Sequence, residues 1–331
     1  MSIAPTPAGV TGAAASGLLA RVPASFFSMA LGVGALAAAW RAAARAYGTS
    51  PWLGDGLLIV AAALWVLVLA AQAVKAVSGR ARLSAELADP VEGSLVALAP
   101  GSLLIIAAGV AGPYPQLARV LFWIGAAGAV LLGAWLVGGW LVAPPRVERV
   151  TPAMYLPAVA GMLLAAAAAG ALGKTDAGWV FFGAGLVSWL LLGAVMLSRH
   201  LSAGELAPAL RPLLGYELAP PALALFAYQA LEGAAPDSTS RGLLGYALFV
   251  ALLLIRLAGR LRDVPFAPSY WSFAFPLGTL AAATLRQGSA APGSIGGALA
   301  LPIFVVANAV VAVVAFHTAA AASRGTLLPP E

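Results

Sequence analysis

Cysteine is absent from the 331 residues. Disulfides, thiolate metal sites and cysteine nucleophiles are therefore excluded together. Charge is scarce too: Asp, Glu, Lys and Arg make up 9% of the chain, against roughly 25% in an ordinary soluble domain. Twelve acids and eighteen bases cannot cover the surface of a globule this long. Histidine occurs twice, at His200 and His317. Neither has a Cys, Asp or Glu at ligand spacing, so no metal site is expected. No Ser/His/acid set can be assembled, and no cofactor or enzyme activity is expected. The loose dinucleotide pattern at Gly32, Gly34 and Ala37, and a similar start at Gly183 and Gly185, follow no strand. They lie in apolar helical stretches, where small residues allow close packing.

What is present is apolar, at 62% of residues. That rules out a disordered chain and leaves lipid as the main solvent. A spanning helix needs ~20 mainly apolar residues. Ten such stretches occur, at 22–47, 52–77, 93–112, 117–142, 153–172, 177–198, 208–231, 241–261, 269–286 and 295–321. The expected fold is an all-α polytopic membrane protein of five helical hairpins. Residues 1–20 read as a disordered tail, 21–322 as one ten-helix domain and 323–331 as a short second tail. No cleaved signal is expected, because the first twenty residues lack a basic start and an apolar core.

The pI near 10 could suggest nucleic acid. The bases stand singly at helix ends, however, which fits topology and anionic headgroups instead. Arg41, Arg45, Arg119, Lys174, Arg241 and Arg286 fall on one side. The other twelve fall on the side that holds both termini. The positive-inside rule then puts both termini in the cytoplasm.

Proline alternates. The odd-numbered stretches carry Pro23, Pro100, Pro157, Pro220 with Pro221, and Pro276. Stretches two, four, six and eight have none inside, and the tenth has Pro302. Proline lacks an amide donor and clashes with the carbonyl four residues earlier, so it kinks helices. The carbonyls of Val96, Ala153, Tyr216 and Ser272 then need other partners. The alternation suggests kinked odd helices in an inner ring around a shared pore, with straight even helices outside.

Ionisable residues at membrane depth are the natural functional candidates. Glu217 lies just before the Pro220-Pro221 kink. A carboxylate there could carry a proton beside an anion, or be wetted and paired with Arg211 or Arg256. Arg256 itself can snorkel. In the ninth stretch Phe275 precedes Pro276, and Thr279 follows on the same face. A ring at that kink could plug a narrow lumen, although an ordinary packing role fits the pattern too.

Seven segments run in order: RVPASFFSMALGVG at 21–34, DPVEGSLVALAP at 89–100, YLPAVA at 155–160, FFGAG at 181–185, LAPP at 218–221, LLIRL at 253–257 and WSFAFP at 271–276. With them the chain resembles the tellurite-resistance/dicarboxylate transporter family over nearly its whole length. That family includes bacterial TehA, fungal malate permeases and sulfite exporters, and plant slow-type anion channels. The resemblance implies a homotrimer with one pore per subunit. It implies that Phe275 occludes the pore, and that Phe26, Ser28, Gly32 and Thr279 line it. Two departures stand out: Ala30 where some bacterial members have proline, and Glu217 where certain members have an aliphatic residue.

The expected function is an anion channel, or channel-like transporter, of the cytoplasmic membrane. No Arg or Lys falls at mid-depth on an odd stretch, and weak binding suits conduction. Bases at the mouths would supply anion preference. The alternatives are a proton-coupled carrier or exporter of C4-dicarboxylates, sulfite or tellurium oxyanions, and a partner subunit that carries no flux.

Overall fold

The computed structural model describes residues 19–78 and 80–328. The tail expected at 1–20 therefore lies almost wholly outside the described residues, as do 329–331 of the second tail. The described residues are helical throughout their ordered elements and include no strand. The α-helices are α1 (Phe27–Tyr47), α2 (Trp52–Ser78), α3 (Arg80–Ala88), α4 (Pro90–Val96), α5 (Leu98–Val110) and α6 (Pro115–Val142). They continue with α7 (Gly161–Ala171), α8 (Thr175–Ser202), α9 (Ala219–Glu232), α10 (Ser238–Leu257), α11 (Ala274–Ala290) and α12 (Ile295–Ser323).

Eight helical segments among the described residues are long and apolar enough to cross a membrane. The chain is an all-α polytopic membrane protein. The seventh and ninth expected stretches are interrupted. Each is a 3-10 stretch, Pro208–Leu218 or Pro268–Ser272, leading into an α-helix of 14 or 17 residues.

Two layers separate by burial. In an apolar 18-residue window of Ala24–Tyr47, Pro90–Val110 and Pro152–Ala171, 67–83% of residues are buried; in such windows of the five other spans the share is 17–33%. α1, α5, α7, α9 and α11 touch one another in turn, and α11 returns to α1, closing a five-membered ring. Each also packs on the helix that follows it, α2, α6, α8, α10 or α12. Large exposed apolar side chains such as Ile59, Leu131, Leu190, Ile255 and Phe316 stand on this outer layer. They suit a lipid solvent, where packing of small residues, not the hydrophobic effect, holds helices together. The inner α7 (GMLLAAAAAGA) shows that composition.

The prolines explain why the inner helices are not straight. The outer helices run unbroken for 27, 28, 28, 20 and 29 residues. Every inner one is entered through a tightened or broken stretch. Pro23 precedes the 3-10 turn Ala24–Phe26, and Pro157 sits in a π-helical turn, Leu156–Ala160. Pro100, Pro220, Pro221 and Pro276 fall in the first turn of the α-helix that follows the break. There a missing amide removes no intrahelical bond, so these prolines start a second helix more than they bend a first one. Side chains and tight turns take up the carbonyls nearby. The Tyr216 carbonyl accepts from the Ala219 amide. Around Pro100 the Trp65 indole donates to the Ala99 carbonyl at 2.9 Å, and the Ser102 hydroxyl reaches the Leu98 and Phe27 carbonyls at 2.6 and 3.1 Å.

Candidate functional site

The Pro268–Ser272 turn and the start of α11 place Phe275. Phe275 is the second residue of α11 and is 1% exposed. Pro276 follows in the same first turn. The Thr279 hydroxyl donates back to the Phe275 carbonyl at 2.9 Å. Three contacts hold the entry to this helix. The Trp271 indole donates to the Thr318 hydroxyl at 2.9 Å. The Ser272 hydroxyl donates to the Pro212 carbonyl. Gly215 lies so close that an added Cβ would stand 2.7 Å from the Ser272 carbonyl carbon and 2.8 Å from the Phe273 nitrogen. Only glycine permits that approach of two backbones.

The facing helix is α1, with its preceding Ala24–Phe26 turn. Phe26 and Phe275 belong to one buried cluster. Ser28 is buried, and its Oγ has no hydrogen-bond partner. Gly32 is placed differently. A Cβ there would meet the Ala274 Cβ at 2.9 Å and the Trp271 ring at 3.0 Å. It lies at the packed seam between α1 and α11.

Farther along the ring is a cavity of about 280 Å³. All five inner helices line it: Gly34, Ala37 and Ala38 from α1, Ile105 from α5, Ala167 from α7, Phe226 from α9 and Arg286 from α11, among others. Arg41 and Arg45 complete its mouth. None of Phe26, Ser28, Gly32, Phe275 and Thr279 lines this cavity. Phe275 precedes Arg286 by 11 residues, or ~16 Å at ~1.5 Å per helical residue. The inner ring thus holds an arginine-lined cavity at one end and the buried Phe275 ring toward the other.

Glu217 faces elsewhere. It sits at the end of the Pro208–Leu218 stretch. The Tyr155 hydroxyl lies beside its carboxylate, and His200 Nδ1 is 4.0 Å from its Oε1, which has no hydrogen-bond partner. Arg211, one of the two partners proposed from sequence, instead pairs with Glu205 at 3.3 Å. His317 stacks on the Phe266 ring.

Gly215, Tyr155 and the meeting of Arg286 with Arg41 and Arg45 escaped sequence reasoning. Gly215 is one of 37 glycines, and nothing local separates it from the rest. The arginines are ~240 residues apart in sequence and meet only because α1 and α11 are neighbours in the ring.

The chain is also similar in sequence to known proteins. A family model described as "Voltage-dependent anion channel" (SLAC1) matches residues 21–319. The Tellurite resistance protein TehA homolog of Haemophilus influenzae is 30% identical over 261 residues, covering 78% of this chain and 79% of that protein. The Guard cell S-type anion channel SLAC1 of Arabidopsis thaliana is 26% identical over 160 residues, 48% of this chain and 29% of that channel. The S-type anion channel SLAH3 of the same plant is 24% identical over 305 residues, 88% of this chain and 47% of that channel. With its all-helical, multi-pass architecture and a match over nearly its whole length, the chain belongs to the voltage-dependent anion channel family, whose members are channels and transporters, not enzymes.

Proposed function

We propose that this protein is an anion channel, or channel-like transporter, of the cytoplasmic membrane, with residues 21–322 as one transporting domain. The Phe275 ring is its gate. The observation that carries this reading is the placement of Phe275: fully buried, on the first turn after a proline-set break, in the ring of inner helices whose other end opens into an arginine-lined cavity. An apolar ring at a constriction resists wetting and must rotate before an ion passes. Phe26 and the partnerless Ser28 hydroxyl face the same closed stretch from α1, with Thr279 one turn along α11. The charge asymmetry puts both termini inside and the arginine mouth outside. Family membership supports a homotrimer with one conduit per subunit.

The test is Phe275→Ala, expressed in oocytes or reconstituted in liposomes. The expected outcome is a constitutively larger anion current. An unchanged current from a folded, membrane-inserted variant would sink the gate assignment.

One observation favours a second reading, in which the protein is a proton-coupled carrier of C4-dicarboxylates, sulfite or tellurium oxyanions. Glu217 lies between Tyr155 and His200, with one oxygen lacking a partner. In that reading Glu217 binds the proton that travels with the anion. Flux driven by a pH gradient, and lost in Glu217→Gln, would favour the carrier. Flux that ignores the gradient in both forms favours the channel.

A further inference from the structure

Three guanidinium groups stand around the cavity at the mouth of the inner ring, and their surroundings differ. Arg41 is already committed. Its Nε and Nη2 hold Asp55 at 2.7 and 2.6 Å, and its Nη1 donates to the Gly109 carbonyl. Arg286 spends one donor, Nη2 to the Gln229 carbonyl at 3.1 Å. Its guanidinium lies over the Phe226 ring, 5.3 Å from the centroid. The ring sets the plane of the fork and leaves the other donors unspent. Arg45 forms no ion pair with any carboxylate among the described residues. It is nonetheless within Coulombic reach of both Arg41 and Arg286.

Three like charges therefore line one cavity, and the carboxylate paired with Arg41, Asp55, is not among its lining residues. Gathering like charges at a partly buried site is unfavourable unless an opposite charge joins them. The rest of the cavity wall is Gly, Ala, Leu, Ile and Phe, which offers no acid. The room, about 280 Å³, admits a small polyatomic anion with part of its hydration. A guanidinium prefers partners with two or more acceptor oxygens, because its parallel N–H groups match them in pairs. A halide cannot use that geometry.

We propose that Arg45 and Arg286, supported by the field of the Asp55-anchored Arg41, form a binding site at this mouth for a small oxyanion or carboxylate with at least two acceptor oxygens. This deepens the anion-conduit reading and rests on it for its purpose. The site would concentrate such anions before the narrow stretch. It does not contradict the lack of charge at mid-depth, since capture at a mouth leaves transit weak.

The test separates binding from flux. Protein purified in detergent is titrated calorimetrically with malonate and sulfate, and with chloride at matched ionic strength. Saturable binding of malonate or sulfate, with chloride at least about tenfold weaker, is expected. Arg45→Gln and Arg286→Gln should each weaken oxyanion binding about tenfold or more, the scale of one lost charge-assisted hydrogen-bonding group. Arg45→Lys keeps the charge, so it guards against misfolding; it should lose the oxyanion-over-chloride preference while eluting as wild type on size exclusion. Arg119→Gln, which lines no part of the cavity, should bind as wild type. Equal affinity for all three anions, or oxyanion binding unchanged in Arg45→Gln and Arg286→Gln, overturns the proposal. Anion flux through the Phe275→Ala form is measured in parallel. Flux without selective binding overturns the site and leaves the conduit reading standing. Selective binding without flux upholds the site and counts against the conduit.

Discussion

Gly215→Ala tests whether the proposed gate at Phe275 is held by backbone contact from a neighbouring inner helix. The added Cβ would stand 2.6 Å from Ser272 Oγ, 2.7 Å from the Ser272 carbonyl carbon and 2.8 Å from the Phe273 nitrogen. Carbon contacts are comfortable at ~3.5 Å or more, so the Ser272–Phe273 backbone must retreat by roughly 0.7 Å. The hydroxyl could rotate away, but the two backbone atoms cannot. Overpacking of this kind costs about 1–3 kcal/mol. Breaking the Ser272 to Pro212 hydrogen bond adds about 1 kcal/mol. The lower backbone entropy of alanine in the unfolded chain returns about 0.5–1 kcal/mol. The net is a destabilisation of about 1–3 kcal/mol, centred three residues before Phe275. Two measurements follow: thermal unfolding of the detergent-solubilised protein, and basal chloride efflux from proteoliposomes. The variant should melt several degrees lower and leak more than wild type. Gly183→Ala is the control, because apart from its own stretch of helix backbone no atom lies within 4 Å of its added Cβ; both readings should stay at wild type. A Gly215→Ala protein with wild-type melting and wild-type efflux would refute the argument that this contact sets the gate.

Two further predictions concern stability. Lys75 is 1% exposed, and its Nζ is 2.7 Å from Glu86 Oε1. Lys75→Met should cost about 2–3 kcal/mol, below the usual loss for breaking a buried pair because Glu86 is partly wetted; adding Glu86→Gln should restore more than half in the same thermal melt. Asp237 caps α10, accepting from the Ser240 amide at 2.7 Å. The Tyr228 hydroxyl, and after it the Ser240 amide, hold its carboxyl down at about 2, from an ordinary 3.8. A depressed carboxylate stabilises the fold above its unfolded value and loses that contribution as pH falls through the folded one. The melting difference between wild type and Asp237→Ala should therefore be constant above about pH 4 and shrink between pH 4 and 2. A difference that is flat down to pH 2 would rule out the cap as its source.

Much of the architecture was legible because the bilayer imposes one rule on every stretch: apolar for long enough, with its backbone bonded within itself. Proline position carried the next layer. Pro100, Pro157, Pro220 and Pro276 mark helices that are broken at entry, and those helices are the buried ones. The physical picture behind the pattern needed adjustment, since most of these prolines begin a helix after a break. Glu217 shows the limit. Sequence spacing offered Arg211 and Arg256 as partners. The fold supplied Tyr155, from the fifth stretch, and His200, from the end of α8.

The sequence by itself determined the solvent, the helical class, the segments at which helices break and the shortage of charge along the interior. Each is a local property, set by runs of side chains and by proline's missing amide. Only the tertiary structure decided which faces of those helices meet. It put Gly32 at a seam between α1 and α11, set Gly215 against the Ser272–Phe273 backbone, and gathered Arg41, Arg45 and Arg286 around one cavity. The reason is that a small or charged residue on an inner helix can face a neighbour or the axis with equal local propriety. Closure of the ring, a contact between the first inner helix and the last, makes the choice.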